Sequence, residues 1–214
     1  MEDPSHVEAE EETVHVPRLP LSRHLRFAQA VSRAAEPPVV AFIAQLLIAV
    51  RVGTRAAWIW TGIGLAVGLL LPVSFILAGV RAGKIGDVDI YARRQRYAPY
   101  VLSIATSALV FAAMSAFKAP ALLRVYALAG LLQLSILFVF NLRWKISNHT
   151  ATVSSFAVLL IYLFGTLAGP AALLPALVAW SRVVLHRHTP AETAGGIAVG
   201  AGVTALCLFA LFPA

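Results

Sequence analysis

Seven apolar runs, at about 37–53, 56–80, 98–117, 120–141, 150–168, 170–186 and 193–212, follow one another through the chain with short interruptions. A helix needs about 20 apolar residues to cross the hydrocarbon core of a bilayer, and a chain inside lipid must satisfy every backbone group internally. Together these require an all-α fold, a polytopic transmembrane bundle. The first run carries Arg51 and Arg55 at its end, so the count is six to seven helices. The sixth is short and contains Pro170 and Pro175, which membrane helices tolerate. Of the 214 residues 59% are hydrophobic and only 13% charged, which excludes a separate soluble domain.

Ahead of the runs, residues 1–19 are acidic and combine no basic start with an apolar core, so they read as a disordered tail rather than a signal peptide. Residues 20–36 are basic and mildly amphipathic. Leu25, Ala28, Val31 and Ala35 fall at helical spacing, which suits a helix lying on the membrane surface. Residues 37–214 form the transmembrane domain. The net charge of +7 resides mostly in short loops beside the apolar runs, where basic residues orient membrane proteins. The expected partners are therefore membrane lipids with anionic headgroups, or phosphates, and no nucleic acid. Cys207 stands alone, so neither an intrachain disulfide nor a cysteine-based metal site is expected.

Three polar clusters, 83–99, 141–150 and 181–192, follow the second, fourth and sixth runs. Two crossings separate each consecutive pair. All three must therefore emerge on the same side of the membrane, and one shared site can form from them. That side also holds thirteen of the seventeen lysines and arginines, while Arg51, Arg55, Lys118 and Arg124 lie opposite. The excess of positive charge places the clusters in the cytoplasm.

The clusters hold what chemistry on a phosphate ester needs. Arg96 and Arg182 offer the planar donor fork that suits phosphate oxygens, and a neutral imidazole can attack phosphorus. On a helix, His188 and Glu192 stand four apart on one face, so the carboxylate can take a hydrogen bond from one ring nitrogen and leave the other to attack.

The stretch "SRVVLHRHTPAE" resembles the third signature of the type 2 phosphatidic acid phosphatase superfamily, Ser-Arg, five residues, His, three residues, Asp. It matches at Ser181, Arg182 and His188, with Glu192 in place of the aspartate. "ISNH" is similar to the second signature, Pro-Ser-Gly-His, at Ser147 and His149, with Ile146 and Asn148 as departures. The first signature, Lys, six residues, Arg-Pro, is matched at Arg96 alone. Tyr97 stands at the proline and Asp89 at the lysine, so the missing cation falls to Arg93, Arg94 or Lys145.

The resemblance covers about 83–200 and looks like the branch of bacterial membrane phosphatases acting on isoprenoid or other lipid phosphates. It implies that His188 is the nucleophile and becomes phosphorylated, with Glu192 orienting it. It implies that His149 protonates the leaving oxygen and that no metal or other cofactor takes part. Arg96, Arg182, Ser147 and backbone amides at the start of the fifth span then hold the phosphoryl group, with Arg93 or Lys145 beside it. Polyprenyl phosphates lead as substrates, and the expected location is a bacterial inner membrane.

Two rival arrangements use the same residues. His149, His186, His188 and Glu192 could ligate a metal, since imidazole and carboxylate suit zinc, although the arginines then have no task. A non-catalytic scaffold could retain the phosphate pocket without turnover. Glycines and alanines in "AGGIAVGAGVTA" permit close helix packing in either case. His186 matches no signature and reads as an interfacial residue. Gln133 and Ser135, inside the fourth run, read as bonds to neighbouring helices, and "NHT" at 148–150 as a chance match to a glycosylation site.

Overall fold

Each apolar run becomes a helix, and the punctuation between them comes from prolines and small caps. The computed structural model describes residues 22–86, 90 and 93–211, the Arg93 side chain excepted. The acidic tail expected at 1–19 lies outside the described residues. Helix α1 spans Arg23–Ala34 and α2 Pro37–Val52. α3 (Arg55–Ile63) continues through a wider π-type stretch, Gly64–Leu70, into α4 (Leu71–Arg81). There follow α5 (Tyr97–Ala116), α6 (Ala121–Asn141), α7 (Asn148–Phe164), α8 (Leu174–Val184) and α9 (Pro190–Ala205). Prolines in the first turns of α2 and α9 need no amide partner there, and Pro72 and Pro175 stand where α4 and α8 take over from the π-type and 3-10 stretches.

Among the described residues five helical stretches are long and apolar enough to cross a membrane, and a sixth if α1 and α2, bent by 48°, count as one. One of the five, Asn148–Val184, has 37 residues, about twice what a bilayer requires. It folds back on itself. Gly165 takes the left-handed φ of +62° after α7, a 3-10 stretch containing Pro170 carries the chain round, and α8 returns along α7. The fifth and sixth runs are therefore an antiparallel pair, and the turn starts earlier than the apolar pattern suggests.

The first run also traverses the bundle, from Pro37 beside the main cavity to Arg51 and Val52 beside Pro120 and Leu163 at the other end. Its length of about 24 Å is short for a span, and Gly53 (φ +69°) with the Thr54 cap turns it directly into α3. Counting α3 and α4 as one rod, seven rods form the bundle among the described residues, and α1 rests against α8, where the Phe27 and Trp180 rings lie 5.8 Å apart. Large apolar side chains such as Leu109, Phe117, Val139, Leu167 and Leu206 face outward, as lipid contact requires.

The tightest contact joins α7 to α9. A Cβ at Gly196 would strike Thr150 and the Ser147 carbonyl, and one at Gly200 the backbone of Ala151. The small-residue stripe thus brings the starts of the two histidine-bearing segments together. The Thr150 hydroxyl donates to the Thr193 carbonyl at 3.0 Å, and the Ser147 amide donates to the Glu192 carbonyl at 3.1 Å.

Candidate active site

At the start of α9, Thr189 and Glu192 close a capping box. The Thr189 hydroxyl accepts from the Glu192 amide at 3.2 Å, and the Glu192 carboxylate accepts from the Thr189 amide at 2.9 Å. The same carboxylate oxygen, Oε2, lies 3.2 Å from Nδ1 of His188. A glutamate, one methylene longer than an aspartate, thus folds back over its own helix terminus and meets two donors at once.

The Lys145 carbonyl approaches the same ring nitrogen at 3.1 Å. A carbonyl and an ionised carboxylate can only accept, so Nδ1 carries the proton and the lone pair sits on Nε2. His188 is 7% exposed. Burial first, then the charges of Arg182, Arg96 and Lys145, push its pKa down to about 3, against the Lys145 carbonyl, which favours the charged ring. The imidazole is therefore neutral near pH 7. A buried neutral ring with one oriented lone pair has the form of a nucleophile.

His149 stands in the first turn of α7, whose cap is Ser147. The Ser147 hydroxyl accepts from the Thr150 amide at 3.4 Å, and the residue is wholly buried. It sits behind the site wall, where it sets the helix terminus. His149, His188, Arg96, Arg182 and Arg187 all line one cavity of about 700 Å³.

The arginines are anchored from behind. Arg96 is 8% exposed, and its Nε donates to the Ile90 carbonyl at 2.8 Å. Arg182 is 2% exposed, and its Nη1 donates to the Ser32 hydroxyl of α1 at 2.7 Å. The Lys145 ammonium donates to the Arg187 carbonyl at 3.3 Å; burial, then Arg96, lowers its pKa. Cations held this close together repel one another, and a phosphate dianion among them removes that cost.

The three polar clusters therefore meet in one site, as the parity of the crossings permits. Lys145 and Glu192 act on His188 from behind it. Arg94 is exposed and Arg93 lies outside the described side chains, as does Asp89. Two participants were not selected from the sequence. Arg187 falls among the unspecified residues of the third signature, and its place beside His188 was the only signal. Ser32 arrives from α1, far from any signature.

The arrangement of His149, His186, His188 and Glu192 around one ion is not assembled. Among the described residues no three His, Cys, Asp or Glu side chains are grouped to hold a metal, and His186 is exposed, with φ +52°. Ser135 donates within its own helix, to the Leu131 carbonyl at 2.8 Å, and Gln133 faces the cavity. Neither bonds a neighbouring helix among the described residues.

From its histidine end the cavity continues between α2, α3–α4, α5 and α6, past Pro72, Gly68, Val110 and Leu123 to Gln45, Gly64 and Met114. Met114 lies eighteen residues beyond Arg96, about 27 Å along the helix axis. The π-type stretch forms part of this wall, and irregular turns of this kind recur at functional sites.

A protein-family model described as the PAP2 superfamily matches residues 90–213, more than half of the chain. No curated protein and no solved structure matches it. The matched region begins after α4, so α1 with Ser32, and the cavity wall built by α2 to α4, lie outside it.

Proposed function

The chain belongs to the PAP2 superfamily and is a phosphatase of phosphate esters, and from that premise we propose that its substrate is a lipid bearing a phosphomonoester or diphosphate. One observation carries this reading: a single cavity has arginines and histidines at one end and a mostly apolar groove, with Gln45 at its far end, at the other. A phosphate headgroup suits the first and a hydrocarbon tail the second. Polyprenyl phosphates and diacylglycerol phosphates both join such a headgroup to such a tail. Phosphate release from a panel of lipid phosphates by purified protein tests the assignment. Failure on every lipid, with turnover of soluble esters, would overturn it.

In the proposed mechanism the phosphoryl oxygens lie among Arg96, Arg182 and Arg187. Nε2 of His188 attacks phosphorus, and the bond from phosphorus to the lipid oxygen breaks as His149 gives that oxygen its proton. The phosphorylated ring keeps its Nδ1 proton, and its positive charge is stabilised by Glu192 and the Lys145 carbonyl. Water then attacks phosphorus, His149 takes its proton, and the nitrogen–phosphorus bond breaks to release phosphate. A bound phosphate dianion favours a proton on an adjacent imidazole, so binding of substrate prepares the acid.

Glu192 acts in this scheme through His188. Glu192→Gln keeps an acceptor for the ring and the helix cap but removes the charge that stabilises the imidazolium. The expected loss in kcat is roughly tenfold, with KM nearly unchanged. An unchanged kcat would remove Glu192 from the orienting role.

Ser32 takes one of the five guanidinium donors of Arg182 and fixes its fork. Ser32→Ala should raise KM and weaken vanadate inhibition by roughly tenfold, with a smaller change in kcat, and Ser32→Thr should restore both. Equal losses in the Ala and Thr proteins would assign Ser32 to packing alone. In the same reading α1 lies along the membrane surface as a roof over the headgroup, at the cytoplasmic face of a bacterial inner membrane, where the basic residues place it.

A further inference from the structure

The wall of the apolar groove carries an amide that the mechanism does not use. Gln133, in the middle of the membrane-crossing helix α6, is 6% exposed and lines the cavity. Its side chain makes no hydrogen bond to any described residue. An unpartnered amide inside an apolar bundle is costly unless something in the cavity completes it. The neighbouring polar residue, Ser135, is satisfied within its own helix.

The packing fixes the depth of this amide. Leu137 and Leu134, next on the site side of α6, pack with Tyr100, Ile146 and Ala151 just inside the histidine end. Gln133 therefore lies just over two helical turns, roughly 12 Å, below the end of α6 at Asn141. Ser103 of α5 and Thr152 of α7 line the same cavity. Thr152 already donates to Asn148 within its own helix, which leaves Gln133 as the amide on this side of the groove.

We infer that Gln133 is the centre of a second subsite, whose amide N–H donates to an acyl ester carbonyl of the bound lipid. This rests on the lipid phosphatase reading. In a diacyl lipid phosphate the ester oxygens form a layer directly below the phosphate, and Gln133 lies on that side of the groove, which runs on to Gln45, Gly64 and Met114. A polyprenyl chain offers no acceptor at that depth and leaves the amide unmatched. The subsite thus ranks acylated lipid phosphates above polyprenyl phosphates, the reverse of the order taken from the sequence.

The test compares diacyl and dialkyl glycerol phosphates of equal chain length, which differ in the ester carbonyls, with a polyprenyl phosphate as a third substrate. Turnover is measured with the native protein, and binding in detergent micelles with His188→Ala protein. The diacyl lipid should be preferred about tenfold in kcat/KM and in Kd. Gln133→Leu and Gln133→Met should each bring that ratio close to one, and equal vanadate inhibition in all three proteins shows that the phosphate end is intact. A ratio near one in the native protein, a ratio that survives both substitutions, or preference for the polyprenyl phosphate would overturn the subsite. Absence of turnover on any lipid, with the diacyl preference still present in binding, would instead overturn the lipid phosphatase reading and leave the subsite standing.

Discussion

Purified His188→Ala protein is expected to lose phosphate release by roughly a thousandfold or more while remaining a folded membrane bundle. The two halves of this expectation have separate causes. The ring supplies the attacking lone pair on Nε2, aimed by the two acceptors on Nδ1. Its loss removes the covalent route. The fold survives because the ring borders the cavity, and the Thr189–Glu192 capping box that starts α9 does not need it. Retention of more than about a tenth of the native turnover, checked in protein that elutes as the native form does, contradicts the assignment.

His149→Ala should lower kcat on a lipid phosphate by about a hundredfold or more, as loss of a general acid does. The substitution has a further signature, because the same ring serves two steps. With 4-nitrophenyl phosphate the leaving group needs no proton, so the first step recovers. The second step still lacks its base. Rapid mixing of the His149→Ala protein with this ester should therefore release about one nitrophenol per enzyme in a burst, followed by slow turnover as the phosphorylated enzyme accumulates. Equal defects on lipid and nitrophenyl substrates, with no burst, would show that His149 positions the phosphate and does not move protons.

The residues that share a helix turn or a signature were legible in the sequence. His188 and Glu192 are four apart on a helix, and the structure places Glu192 Oε2 at 3.2 Å from the ring. Counting crossings was enough to place Arg96, His149 and Arg182 on one side, because parity does not depend on where each helix ends. Contacts made by the fold alone were not legible. Ser32 reaches Arg182 only because α1 folds against α8, and no local pattern in 20–36 reports that contact. The second role of Glu192 was hidden for a related reason: a capping box and a ring-orienting carboxylate leave the same letters in a sequence. The break at Gly165 was blurred because glycine, alanine and leucine continue the apolar run straight through the turn.

The central claim is that phosphate leaves the lipid by way of His188. The most direct measurement is to mix the native protein with a lipid phosphate labelled on phosphorus, quench in base within milliseconds, where phosphohistidine survives, and map the label on peptides. The account predicts one labelled peptide, carrying an acid-labile phosphate on His188, and no label in the His188→Ala protein. Label on another residue, or none while turnover proceeds and the quench captures known phosphohistidines, would contradict it.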